Sequence, residues 1–184
     1  MATNVQRIGS YLAKSAQLST GATETKAAEI VGGSVANIVA LLKAALASEW
    51  LAYYQYWLGA KVARGTQRAA IADELMAHAA EEFAHAGLLA DRIVELGGSP
   101  IVAPAQWNSA SPCRFDSPSD SSVTRIVEQN IAGERCAIAF YKKLLDATRE
   151  ADEVTYDMLI KIIKDEQEHE TDLRKFIEDL KQGE

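Results

Sequence analysis

Proline and cysteine are both scarce in this chain, at four and two residues out of 184. Two cysteines, Cys113 and Cys136, are too few to staple a small secreted scaffold. So little proline leaves long helices uninterrupted. No run of residues approaches the length of a membrane span. Residues 1–10 lack the basic-then-apolar order of a secretory leader, so the expected location is the cytoplasm. Basic residues are outnumbered as well. Nineteen Lys and Arg against 26 Asp and Glu leave a net charge of −7, which argues against unaided nucleic-acid binding and suits the attraction of cations. What the chain does have is length for one domain with a sizeable core. It also has periodic stretches rich in Ala, Leu, Glu and Lys, which favour an all-α fold.

Residues 1–33 read as a polar N-terminal arm, with Val5, Ile8 and Leu12 spaced for a short amphipathic helix and Gly21 and Gly32-Gly33 as punctuation. Residues 34–184 read as a helical bundle domain. A first long helix is expected from about Ser34 to Ala63, with Ile38, Leu42, Ala45, Glu49, Ala52, Tyr56 and Ala63 along one stripe. A second is expected from about Gln67 to Leu96, closed by Gly97-Gly98 and Pro100, with Ile71, Leu75, His78, Glu82, His85, Leu89 and Leu96 on its stripe. Residues 97–122 are long for an ordinary connection. Twenty-six residues can run the ~33 Å length of a bundle helix, so a crossover is expected that sets the third helix parallel to the second. That third helix spans about Ser122 to Thr148, with Val127, Ile131, Glu134, Ile138, Tyr141 and Leu145 in phase. The last carries Leu159, Ile162, Glu166, His169, Leu173, Phe176 and Leu180.

Each stripe holds a carboxylate where an apolar side chain is expected, and a buried unpaired carboxylate is costly. A solvated charge run describes Asp165, Glu168 and Glu170, but it does not describe Glu166 and His169. Those two are neighbours on the apolar face, and Glu82 with His85 repeats them in the same phase. Glu49 precedes Glu82 by 33 residues and Glu134 precedes Glu166 by 32, which makes two helical hairpins of matching span. One Glu on each of two helices and Glu-x-x-His on each of the other two is the ligand pattern of di-iron and di-manganese carboxylate bundles. Four carboxylates balance two divalent ions in a low-dielectric core. Without metal they take up protons, which loading releases. An oxygen-rich set with one His per metal suits iron or manganese better than a closed structural zinc site, with zinc possible as a substitute. Glu82 and Glu166 are assigned as bridging ligands. Glu49 with His85, and Glu134 with His169, are assigned as terminal pairs.

From about Ser34 to Leu180 the sequence resembles the ferritin-like superfamily. Ser48-Glu49-Trp50-Leu51-Ala52-Tyr53-Tyr54-Gln55-Tyr56 is similar to the first helix of bacterioferritins, in which Tyr follows Glu by seven residues. Glu82-Phe83-Ala84-His85-Ala86 and Asp165-Glu166-Gln167-Glu168-His169 are similar to their two iron-binding pairs. Phe83 stands where bacterioferritins place the haem-ligating Met, so no haem is expected. Fifteen residues follow His169, too few for the extra C-terminal helix of 24-subunit ferritins, and no Cys-x-x-Cys pair supplies a rubredoxin module. The resemblance narrows to the Dps-like proteins called thioferritins, which carry one Cys in the crossover and one in the third helix, as Cys113 and Cys136 stand here. It implies a ferritin-like four-helix bundle assembled as a dodecameric cage. It further implies two iron ions per subunit, oxidation of Fe(II) by hydrogen peroxide or oxygen, storage of ferric mineral, and protection against oxidative stress. By the same resemblance Cys113 and Cys136 pair as a disulfide that pins the crossover, and one beside the site that is open to redox change. Free, inert thiols are the ordinary alternative.

Tyr56 is a candidate to pass an electron or hold a ligand, whereas Tyr53, Tyr54 and Trp57 read as packing. His78, one turn before Glu82, reads either as a hydrogen-bonded core histidine or as part of a transient third metal site. Two competing functions share the fold. A di-iron oxygenase acting on a small organic substrate such as a quinone expects an apolar or membrane-facing approach, and the charged outer faces (Lys61, Arg64, Arg68, Lys142, Lys143, Lys161, Lys164) supply none. A purely structural helical module leaves the buried carboxylates uncompensated. With only Arg7 and Lys14 before Lys26, a DNA-coating arm is not expected.

Overall fold

The computed structural model describes residues 25–100, 102–118 and 120–182. Most of the expected arm, including the helix expected around Val5, Ile8 and Leu12, lies outside the described residues. Its last part forms a short helix, α1 (Lys26–Val31). Thr25 caps α1 by accepting from the Ala28 amide at 3.0 Å, and its hydroxyl donates to the Glu95 carbonyl at 2.6 Å. A single 3₁₀ turn, Gly32–Ser34, leads into α2 (Val35–Val62). Then follow α3 (Arg68–Glu95), a four-residue helix α4 (Trp107–Ala110) within the crossover, α5 (Val123–Thr148) and α6 (Glu153–Gln182). The long helices thus start and stop within a residue or so of the expected bounds. Gly97 (φ 74°) adopts the left-handed backbone that ends α3, with its amide on Val94 O at 2.9 Å and that of Gly98 on Ile93 O at 2.8 Å.

α2 packs chiefly on α3, and α5 on α6, so the four long helices form two hairpins. The crossover carries the chain back to the end where α3 began. Arg64 and Ser122 form a parallel bridge there, with Arg64 N donating to Ser121 O at 2.7 Å and Val123 N to Arg64 O at 3.0 Å. α5 therefore runs parallel to α3, as the connector length implied. At the other end of the bundle Arg92 on α3 donates to both carboxylate oxygens of Asp152 (2.9 and 3.0 Å) and to Thr155 (2.8 Å), tying the second hairpin to the first.

Two apolar layers fill the interior. One is built from Leu42, Leu89, Ile93, Leu144, Leu159 and Ile162; the other from Ile71, Leu75, Ile126, Val127 and Leu173. Full burial of such a side chain stabilises the fold by about 1.5–3 kcal/mol. The four stripe carboxylates sit along their helices between the two layers. The last stripe turns slightly from expectation, with Ile177 buried and Phe176 half-buried. One further expectation needs correcting. Lys26–Val62 is long and apolar enough by composition to cross a bilayer, and it is the one such stretch among the described residues. Its apolar character has a local cause. α2 packs against α3, α4 and α5, so Leu41, Ala44 and Leu46 are buried along with the stripe residues.

Candidate metal centre

The stripes bring Glu49 (α2), Glu82 and His85 (α3), Glu134 (α5) and Glu166 and His169 (α6) to one place, each at most 3% exposed. They form two groups that share two members: Glu49, Glu82, His85 and Glu166, and Glu82, Glu134, Glu166 and His169. Within each group one oxygen or nitrogen from every residue lies within 4.8 Å of the others. The sharing is atom by atom. His85 Nδ1 lies 3.5 Å from Glu82 Oε2 and 3.2 Å from Glu166 Oε1. His169 Nδ1 lies 3.3 Å from Glu82 Oε1 and 3.6 Å from Glu166 Oε2. Glu82 and Glu166 therefore each divide their two oxygens between the two imidazoles. Glu49 faces His85 alone, at 3.4 Å.

A ring of outer contacts orients these groups, and it follows the repeat. Tyr56 OH donates to Glu134 Oε1, and Tyr141 OH donates to Glu49 Oε1 at 2.6 Å. Tyr56 lies seven residues after Glu49 and Tyr141 seven after Glu134, and each bonds to the Glu of the other hairpin. The outer nitrogen of His85 meets Asp165 Oδ2 at 3.3 Å, and that of His169 meets Glu81 Oε2 at 2.7 Å. Such a carboxylate on the far ring nitrogen directs Nδ1 inward and raises its basicity. Sequence reasoning missed three of these four. Tyr141 was readable by applying to Glu134 the seven-residue spacing noted for Glu49. Asp165, taken as surface charge, and Glu81 are the acids directly before Glu166 and Glu82, a second shared feature of the repeat. Glu170 stays outside and pairs with Arg135 at 2.8 Å.

Seven buried atoms pointing into this centre have no hydrogen-bond partner: Glu49 Oε2, both oxygens of Glu82, His85 Nδ1, Glu134 Oε2, Glu166 Oε1 and His169 Nδ1. Orphaned polar atoms on this scale are costly in a protein core, and cations are the partners that suit an oxygen-rich, anionic set. Protonation has the same pattern. Burial, then the charges of Glu82 and Glu166, hold Glu49 well above the usual carboxylate range. Burial, then Glu166 and Glu82, do the same to Glu134. Glu82 is as deeply buried but is held low, because both imidazoles lie close against it, at 3.3 and 3.5 Å. Burial opposes charge on the imidazoles, yet Glu166, Glu49 and Glu82 raise His85, and Glu166 and Glu82 raise His169 to about 12. Burial, then the carboxylate each one bonds to, keeps Tyr56 and Tyr141 phenolic and therefore donors. The centre thus favours protons in the places where cations fit.

The crossover covers one flank of the centre. Cys113 and Cys136 are joined in a disulfide, with Cα atoms 5.7 Å apart. Ser111 shares a hydrogen bond of 2.8 Å with Ser48, and the Asp116 amide donates to Gln55 Oε1 at 3.2 Å. Beneath lies a cavity of about 30 Å³, walled by Glu49, Glu82, Glu134, Glu166, Tyr56 and Cys113. That is room for about two water molecules. Tyr53 packs against Trp50 and Phe83, while Tyr54 and Trp57 stack on each other at the surface, away from the centre. His78 is buried beside it, its ring stacked on His169 at 4.2 Å; burial, then the charge of His169, lower it to about 4.

Comparison with known proteins gives a consistent set of likenesses. The ferritin-like domain family matches residues 39–183. The DNA protection during starvation protein of Pyrococcus furiosus is 30% identical over 143 residues, 77% of either chain. The solved structure of a dodecameric thioferritin, the bacterioferritin-related protein of Bacteroides fragilis, is 41% identical with a TM-score of 0.82, covering 84% of this chain and 94% of that one. Bacterioferritin of Rhodobacter capsulatus is 26% identical with a TM-score of 0.67, covering 80% and 87%.

Proposed function

Because this chain belongs to the ferritin-like domain family, we propose that it is an iron-oxidising, iron-storing protein of the thioferritin kind, with Fe(II) as its substrate and two irons held per subunit. The observation that supports this most directly is the division of the Glu82 and Glu166 oxygens between His85 and His169. In this reading those two carboxylates would be shared by both irons, Glu49 and His85 would complete one half, and Glu134 and His169 would complete the other. When bound, the two ferrous ions supply two electrons, which with two protons reduce one hydrogen peroxide to two waters. Tyr56 and Tyr141 hold Glu134 and Glu49 in place. Asp165 and Glu81 keep the imidazole Nδ1 atoms aimed inward. The protons displaced from the ligands are close at hand for the reduction.

The size of the adjoining cavity favours this reading over hydroxylation of an organic substrate. About 30 Å³ suits peroxide or oxygen better than a quinone ring. The thioferritin of Bacteroides fragilis is dodecameric, and a closed shell of that kind is the assembly proposed here, working in the cytoplasm against oxidative stress. The net charge of −7 sets the chain against coating DNA. The test is anaerobic loading with Fe(II) followed by hydrogen peroxide. Two Fe(II) oxidised per peroxide, with a ferric core in a large oligomer on size-exclusion chromatography, is the expected result. A single-subunit species that forms no core would overturn the storage reading.

A further inference from the structure

We propose that Glu74, His78 and Asp172 form a third divalent-cation site, which hands ions to the Glu134/His169 half of the centre. This rests on the di-metal reading above. Glu74 and His78 lie one turn apart on α3, and Asp172 lies one turn after His169 on α6. One ligand atom from each falls within 4.8 Å of the other two. His78 Nε2 is 3.4 Å from Glu74 Oε1. The imidazole is 4% exposed, and its Nδ1 has no hydrogen-bond partner. It is held edge-on against Tyr56 at 5.2 Å and flat against His169 at 4.2 Å. The two carboxylates, 41% and 33% exposed, face water. An ion held there has solvent on one side and a centre ligand ring on the other.

The internal repeat gives an independent reason to single out His78. Moving each position by the 84 residues that relate Glu82 to Glu166 and His85 to His169 carries Glu74 to Met158 and His78 to Ile162, and moving back from Asp172 gives Leu88. At the other end of the centre the same three positions are all apolar, and Ile162 is completely buried. Packing in this fold therefore accepts an aliphatic residue where His78 stands, and the imidazole is not there to fill space. Among the described residues, the pseudo-symmetric centre has such a cluster at one end only. Asp172 is also paired with Lys175 at 2.8 Å, an exposed contact within one helix that a divalent ion readily displaces.

The experiment uses assembled protein and cobalt(II), which is not oxidised under these conditions. Anomalous diffraction from cobalt-soaked crystals is expected to show two peaks in the centre and a third among Glu74, His78 and Asp172. His78→Ile, which copies the residue at the repeat-related position, is expected to keep the two central peaks and lose the third. The same variant is expected to slow filling of the centre about ten-fold under stopped flow while its final stoichiometry stays at two. Asp172→Asn is the second variant, expected to weaken the third peak without changing the fold. Two peaks only in the parent protein, or a third that persists in His78→Ile, would overturn the site. An unchanged filling rate would overturn the hand-over role. Absence of the central pair would instead overturn the di-metal reading, so the two failures are distinct.

Discussion

Replacing Glu134 by Gln separates what the centre costs the fold from what it does for metal. Glu134 is 3% exposed, with one oxygen accepting from Tyr56 and the other without a partner. Burial and the charges of Glu166 and Glu82 keep it protonated well above its ordinary 4.5. The sign follows from that direction. A raised carboxyl favours the fold below 4.5 and loses that contribution as pH rises through its folded value. At pH 7 the unfolded chain gains from ionising this group while the metal-free fold does not. At about 1.4 kcal/mol per unit over the interval from 4.5 to 7, the ceiling on that cost is about 3 kcal/mol. Gln is nearly isosteric and stays neutral, and its carbonyl can still accept from Tyr56. The metal-free variant should therefore gain about 1–3 kcal/mol, or some 2–10 °C in melting temperature. The same change removes a proposed terminal ligand from one half, so the stabilisation produced by cobalt(II) should shrink by about 3 kcal/mol for a hundred-fold weaker half-site. The assay is a pair of thermal melts at pH 7, one with chelator and one with cobalt(II), on the same assembled species. A variant that melts below the parent in chelator, with the cobalt(II) increment intact, would refute both the protonation argument and the ligand assignment.

Three further outcomes follow from the same contacts. Tyr141→Phe should weaken metal at the Glu49/His85 half about ten-fold and Tyr56→Phe at the Glu134/His169 half; calorimetric titrations in which both variants weaken the same binding step would contradict this. Filling the centre with cobalt(II) at pH 7 should release about two to four protons per subunit, drawn from His85, His169, Glu49 and Glu134, so affinity should rise with pH. Pure buffer-independent heat and a pH-independent affinity would rule that out. Cys136→Ser should cost about 3 kcal/mol, from a disulfide closing a loop of sequence separation 23, while the centre still fills with two metals. Loss of the metals in that variant would mean that the crossover shapes the ligands as well as covering them.

Much of this arrangement was legible in the chain because burial along a helix is periodic. The phase that placed Leu42 and Leu89 in the core also placed Glu49, Glu82 and His85 beside them, and all six candidate ligands are buried where the stripes put them. Tyr141 was seen as a core residue without its role, since its partner Glu49 is 92 residues away. Contacts of that kind depend on the register between helices, which no single stripe encodes. Asp165 and Glu81 are half in water and look like any surface acid. Only the opposed hairpin turns them toward an imidazole. Asp172 was missed for the same reason. The apolar run through 26–62 was underrated because α2 is enclosed on several sides and is not a one-faced amphipathic helix.

The division of the Glu82 and Glu166 oxygens between the two imidazoles has a mechanical consequence. Each half draws three ligands from one hairpin and one from the other: Glu166 reaches across to His85, and Glu82 reaches across to His169. Neither hairpin supplies a complete group by itself, so an ion bound in either half would also be a rivet between them. The interior works as a clasp of two such rivets, and closing it joins folding to cargo. Two hairpins produced as separate polypeptides should accordingly associate more tightly when the divalent ion is supplied than they do in chelator.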